Sequence, residues 1–367
     1  MSDTPPTTTA SSVSRAESTG DTATVFTQRS GVLATIQRLL HRYPTLSPAT
    51  VLVVSTLVFW YFSDGKILKA PTIGIMLQQA AVLATLAVGQ TLIVLTAGVD
   101  LAVGTGMILT HLVVAKLFSD QGYPAIVALF LGLIVGLSLG AFHGFLVTKV
   151  RLPPFITTLG TFYIFQSLAL LYGQARTISK TDLGDNPATN AYDGVLLWTG
   201  KELTLGNRRT GLTITVGVLL MILTYFVFAW VLSNTAWGSH VYSTGDDIEA
   251  ARLAGINVNR VIVSVYMVAG AFYAFGGWIQ IGRSLSASHN AAVDINLETI
   301  TAVVIGGTSL FGGRGRLWGS LVGALVVVVF RLGLKLSNVD PYWQNFAIGA
   351  LILVAVGIDQ WIRKVAK

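Results

Sequence analysis

The sequence of 367 residues predicts an all-α fold, a polytopic transmembrane helix bundle, on three observations. Hydrophobic residues make up 53% of the chain and charged ones only 11%, too little polar surface to clothe a soluble globule of this length. Apolar runs of bilayer-spanning length recur between short polar turns, and positive residues collect at alternate junctions. Long unbroken runs exclude a β-barrel, whose strands alternate over about ten residues.

Residues 1–30, rich in Ser and Thr and without an apolar core, read as a disordered cytoplasmic tail and not as a signal peptide. Residues 31–45 read as an interfacial amphipathic helix, with Val32, Leu33, Ile36, Leu39 and Leu40 in one stripe opposite Arg38 and His41. The transmembrane domain then fills 46–367. At about 20 apolar residues per helix it holds about ten spans. They are expected near 47–63, 72–96, 101–118, 124–149, 155–172, 213–233, 261–282, 298–312, 318–337 and 342–362. The eighth is short enough to be a broken or re-entrant helix.

Lys149, Arg151, Arg252, Arg260, Arg314, Arg316, Arg363, Lys364 and Lys367 share one side if both termini do, and the positive-inside rule makes that side cytoplasmic. Lys66 and Lys69 run against the rule. The net charge of +7 follows from this topology; no basic patch interleaved with aromatics points to nucleic acid. The absence of cysteine removes disulfides, thiolate metal sites and Cys nucleophiles together.

Enzyme signatures fail one by one. Gly307-Thr308-Ser309-Leu310-Phe311-Gly312 has the outline of a phosphate loop, but Gly313 stands where the lysine must be. His41, His111, His143, His240 and His289 are scattered, with no pair at metal-ligand spacing. For His111 and His143 the plain reading is a neutral ring bonded to a neighbouring helix, set against a ligand or proton relay. Glycines in small-x-x-small form, such as Gly132, Gly136 and Gly140, let helices approach closely.

Two glycine-rich breaks stand apart from that packing role: Thr96 to Gly104, and Gly306 to Gly319. Paired breaks can mark the transport site of a repeat-built transporter. Asp100 is read first as the N-cap of the following helix and second as a substrate ligand. Between the breaks lies a charged insert, Gly245 to Asn257, written as a short capped helix over 246–255. Asp246 and Glu249 have capping-box spacing, Ala250 and Ala251 keep one face slim, and Gly255 supplies a left-handed stop. Such a helix suits docking into a partner's groove, where the plainer reading is a solvated interfacial helix.

Four stretches carry a resemblance: Gly98 to Gly104, Leu152 to Thr161, Glu249 to Ile256, and Ala302 to Gly315. Together, in this order, they resemble the permeases of bacterial monosaccharide ABC importers, the ribose, xylose and fructose group, from about residue 72 onward. The resemblance implies the ABC importer permease fold, a bacterial inner membrane with both termini cytoplasmic, and a homodimer in lipid. It also implies a cytoplasmic ABC ATPase subunit, which uses the ATP so that this chain binds no cofactor, and a periplasmic sugar-binding protein. Coupling to the ATPase falls on Asp246, Asp247, Glu249, Ala250, Ala251, Arg252 and Gly255. Asp359 to Lys364 and the Gly245-Asp246-Asp247 variant look most like the fructose-type branch. Ala102 departs from the pattern, which has serine after Asp-Leu.

A pore for a neutral, hydroxyl-rich sugar needs hydrogen-bonding groups and aromatic faces without tight binding. Gln90, Thr96, Asp100, Phe155, Thr158, Thr161, Phe162 and Gln166 are the candidates for lining it. The competing class is a self-sufficient secondary transporter or channel for a small polar solute. That class needs a buried ion or proton site, for which Asp100 and His143 are the residues to watch.

Overall fold

A computed structural model describes residues 46–184, 193–207, 210–291, 294–344, 346–350, 353 and 357. The tail at 1–30, the interfacial helix expected at 31–45 and much of the tenth apolar run lie outside the described residues. Helix α1 covers Leu46–Phe62, α2 Ala70–Leu95, α3 Val103–Ser119, α4 Ala125–Phe145 and α5 Pro154–Gly173. After a short hairpin come α6 Val216–Asn234, α7 Ala236–Asp246, α8 Ile248–Leu253, α9 Val258–Ser284, α10 Ile295–Ile305 and α11 Leu317–Leu336.

Among the described residues, six helices are long and apolar enough to cross a membrane: α2, α4 extended to Val150, α5, α6, α9 and α11. The expected count of about ten spans is not confirmed there. Three further apolar helices are shorter, α1 and α3 at 17 residues each and α10 at 11, and of these α10 is clearly shorter than its apolar run, because the chain leaves the helix at Gly306. Residues 96–102 run between α2 and α3, and 306–316 between α10 and α11.

Among the described residues the fold also departs from all-α at a hairpin and at an isolated bridge between Ile178 and Ala287. Strands β1 Glu202–Leu205 and β2 Leu212–Thr215 pair antiparallel, with Glu202 opposite Thr215 and Leu205 opposite Leu212. Their alternation of Thr with Leu or Ile suits a half-covered ladder. Gln78 of α2 donates to the Thr213 carbonyl at 3.3 Å, and a Cβ on Gly74 would collide with that same oxygen.

Helix α9 is the axis of the bundle, packed along α4, α2 and α3. Its contact with α4 is made backbone to backbone. A Cβ on Gly136 would meet the Gly270 carbonyl, one on Gly140 the Tyr266 carbonyl, and one on Gly144 would lie 2.8 Å from Val263 Cα. This is the close approach expected of small-x-x-small spacing. Helix α5 buries the face of Thr157, Thr158, Thr161, Phe165 and Ala169, and leaves the apolar face of Tyr163, Ile164 and Leu171 exposed.

The antiparallel register of α4 and α9 puts Lys149 and Arg151 at the same end as Arg260. The Gly313 N–H donates to the Leu95 carbonyl at 3.0 Å, which brings the loop of Arg314 and Arg316 to that end too. Lys66, Lys69 and the hairpin occupy the other.

Candidate functional site

The charged insert folds as an elbow. Thr235 Oγ1 accepts from Gly238 N at 3.2 Å to start α7, and Trp237 Nε1 donates to Ser264 Oγ at 2.8 Å to seat it on α9. Extended backbone at Asp247 (φ −153°, ψ 112°) then breaks the helix. Asp247 Oδ1 accepts from Glu249 N at 2.9 Å and Ala250 N at 3.0 Å. The cap is therefore Asp247 and not Asp246, which still belongs to α7; the helix expected over 246–255 is shortened to Ile248–Leu253. Glu249 turns instead to Arg252 at 2.7 Å, an exposed pair of small energetic weight.

Gly255 has φ +83°, as its stop role requires. Its N–H reaches Arg252 O at 2.9 Å, and Ile256 N reaches Ala251 O at 3.0 Å, the paired bonds of a Schellman motif. Asn257 Oδ1 then caps α9 by accepting from Arg260 N at 3.1 Å. One face of α8 is seated through buried Ala251; the other presents Glu249, Ala250, Arg252 and Leu253, the last 90% exposed.

The C-terminal end of α7 meets both glycine-rich breaks. A Cβ on Gly245 would collide with the Leu95 carbonyl, and one on Gly313 would lie 2.7 Å from Asp246 Cα. One on Gly312 would lie 2.5 Å from the Gly245 carbonyl and 2.9 Å from Ala97 Cβ. Gly312 (φ +84°) and Gly313 (φ +67°) sit in the left-handed region that lets the loop turn under α7. Tyr242 OH donates to the Gly315 carbonyl at 3.0 Å. Burial raises the pKa of this hydroxyl, against the opposing pull of Arg316, so it stays a neutral donor.

Above the junction, the first break encloses a buried polar cluster. Asp100 Oδ1 accepts from Ala102 N at 2.7 Å and its Oδ2 from Tyr273 OH. Asp100 thus closes a side-chain turn two residues before the N-cap position of α3, held by Ala102, and is not itself the cap. With its amide oriented to satisfy both, Gln90 brackets the Asp100 backbone, accepting from its N–H and donating to its carbonyl at 3.2 Å each. Thr158 Oγ1 donates to the Val99 carbonyl at 3.1 Å, which ties α5 to the break. His143 Nε2 lies 2.6 Å from Thr161 Oγ1, so the ring is bonded to a neighbouring helix as expected, with Phe165 and Tyr266 against it.

Four of the eight pathway candidates, Gln90, Asp100, Thr158 and Thr161, are thus brought together. Thr96 is spent on Ile93 O at 2.8 Å at the end of α2. Phe162 and Gln166 are half-buried on α5, and Phe155 is 53% exposed on its outer side, apart from the cluster. Tyr266 and Tyr273 are absent from the candidates that the sequence suggests. Their seven-residue spacing puts them on one face of α9, and a buried tyrosine hydroxyl asks for a partner; that is the signal the sequence offers.

A second ionic group joins α10 to α11. Arg331 pairs with Glu298 and, at 3.4 Å, with Asp294; Glu298 is 8% exposed and Arg331 37%. The first turn of α10 is fixed to the start of α3, since Asn296 Oδ1 accepts from Gly104 N at 2.6 Å. Among the described residues no His, Asp and Glu cluster has the makings of a metal site.

Known proteins resemble this chain over most of its length. The chain is 42% identical to the fructose import permease protein of Rhizobium meliloti, over 96% of this chain and 95% of that one. It is 34% identical to the ribose import permease protein of Haemophilus influenzae, over 85% and 90% of the two chains. To the galactose/methyl galactoside import permease protein of Escherichia coli K12 it is 30% identical, over 84% and 92%. No solved structure matches the chain. The family described as branched-chain amino acid transport system / permease component matches residues 72–356, a stretch that holds both breaks and the elbow between them, and the chain belongs to that family.

Proposed function

We propose that this chain is the membrane-spanning permease of an ATP-driven monosaccharide importer, fructose-type, that moves sugar from periplasm to cytoplasm by alternating access. One observation carries the reading: over 96% of its length the chain matches a fructose import permease at 42% identity. The chain works in a bacterial inner membrane as a homodimer with both termini cytoplasmic, and the positive residues gathered at the elbow end of the bundle support that orientation. A cytoplasmic ABC ATPase subunit binds and hydrolyses the ATP, and this chain holds no ATP site of its own. A periplasmic binding protein delivers the sugar.

The ATPase contact falls on Asp246 at the end of α7, on Asp247 and Gly255, which cap α8, and on the outer residues Glu249, Ala250 and Arg252, with Ala251 seating the helix behind them. The capped, exposed helix supports this role, because a rigid ledge transmits a push that a loose loop would absorb. Gln90, Asp100, Thr158 and Thr161 are committed to bonds within the bundle, so they meet sugar only as the first break opens. Thr96, Phe155, Phe162 and Gln166 complete the route.

The burial of Asp100 with His143 favours one second reading, proton-linked carriage without ATP. Proteoliposomes separate the two. Fructose uptake should need ATP, the ATPase subunit and the binding protein together. Uptake by this chain alone, driven by a proton gradient, would replace the importer reading with the carrier.

A further inference from the structure

We propose that Gly245, Gly312, Gly313 and Tyr242 are positioning residues that lock the end of α7 to both helix breaks, so that a push on α8 displaces both breaks as one body. The inference rests on the permease reading above.

Helix α8 packs on α7 and α9. Its exposed face has no partner among the described residues, and a Cβ on Gly255 would meet nothing within 4 Å. Of its two neighbours, α7 on one side and α9 on the other, it is the end of α7 that meets both breaks backbone to backbone. There, three segments distant in sequence meet without an intervening side chain: Leu95 to Ala97, Gly245 to Asp246, and Gly312 to Gly313. Side-chain contacts yield by changing rotamer, whereas backbone pressed on backbone has no such slack. When one segment shifts by more than a few tenths of an ångström, its neighbours must move with it or separate from it. The Gly313 N–H to Leu95 O bond and the Tyr242 OH to Gly315 O bond, each 3.0 Å, fix the direction of that movement.

The segments that leave the junction extend its reach. Beyond Leu95 the chain runs to Asp100, held by Tyr273 of α9 and by Gln90. At the other break, Gly306 lies against Gly319, and at the far end of α10 Asn296 holds the first turn of α3. A displacement at Gly245 therefore arrives at the buried polar cluster and at the α10–α11 pair together. On this view α8 is the contact surface and α7 the lever.

The test uses the full chain in proteoliposomes with its ATPase subunit and binding protein, and reads fructose imported per ATP hydrolysed. Gly245→Ala forces α7 off Leu95. It should still bind the ATPase subunit and support its hydrolysis, while import per ATP falls about tenfold, the scale of a typical coupling energy. Tyr242→Phe removes only the O–H and should lower the same ratio by about twofold to fivefold. If the ring packs as before and this milder variant keeps the wild-type ratio, the junction is mere packing and the proposal fails. Loss of ATPase binding along with import in Gly245→Ala would overturn it as well, since α8 would then depend on α7 for its shape alone. Should Gly245→Ala fail to accumulate, Tyr242→Phe decides by itself. A wild-type chain that imports no fructose with ATP defeats the permease reading, before any variant is compared.

Discussion

Tyr273 donates its hydroxyl hydrogen to the carboxylate of Asp100 across 173 residues of chain, and so fastens the first helix break to the central helix. The carboxylate is fully buried, which makes each donor to it count. Tyr273→Phe should lower the stability of the detergent-solubilised protein by about 1–3 kcal/mol, the range for a buried acceptor deprived of its donor. Asp100→Asn, which keeps an oxygen for Ala102 N, should be milder than Asp100→Ala. Thermal unfolding followed by size-exclusion chromatography ranks the three; a Tyr273→Phe variant as stable as the parent would remove the fastening role.

At Gly255 the strain of substitution is confined to the backbone, because a Cβ meets nothing there. Gly255→Val should cost roughly 1–2 kcal/mol locally, too little to unfold the bundle but enough to misplace α8. The variant should insert normally and lose ATPase association in a pull-down. Gly255→Asn should keep most of it, since Asn tolerates the left-handed conformation. Equal behaviour of Val and Asn would show that the Schellman stop is irrelevant to docking.

Because the chain has no cysteine, orientation can be read one thiol at a time. Lys201→Cys and Asn257→Cys, one at each end of the bundle, should label oppositely with an impermeant maleimide: the first in intact spheroplasts, the second only after lysis. Labelling of both from one side would overturn the topology.

Arg331 neutralises Glu298 where α10 crosses α11. Arg331→Met strands a nearly buried carboxylate and should cost roughly 2–3 kcal/mol, at or below the low end for a buried pair because the guanidinium is 37% exposed. Asp294→Asn, which removes the exposed partner, should cost under about 1 kcal/mol. Differential scanning fluorimetry of both variants gives the order; the reverse order would mean that Asp294, not Glu298, anchors the arginine.

Local pattern is legible in the sequence and pairing is not. The breaks, the short helix with its glycine stop and the close-packing glycines are each written within about ten neighbouring residues. The chemistry that marks them, a missing Cβ or a capping carboxylate, acts at that range. The cap is misplaced by one residue because Asp246 and Asp247 are chemically equivalent in a string; only the run of α7 through Asp246 decides between them. Span bounds fail where hydropathy cannot see conformation: the apolar run expected to be helical to 312 leaves the helix at Gly306, where the chain turns instead. The Tyr273–Asp100 and Arg331–Glu298 pairs join helices far apart in sequence, so no window contains both members.

The glycine seam between α4 and α9 limits what the protein can do as it cycles. With Gly136 against the Gly270 carbonyl and Gly140 against that of Tyr266, these two helices cannot slide or roll on one another without carbonyl striking carbon. They form a keel. Rearrangement is left to the elements packed outside the seam, α5 against α3 and α10 with α11 against α2, which turn about a beam that does not deform.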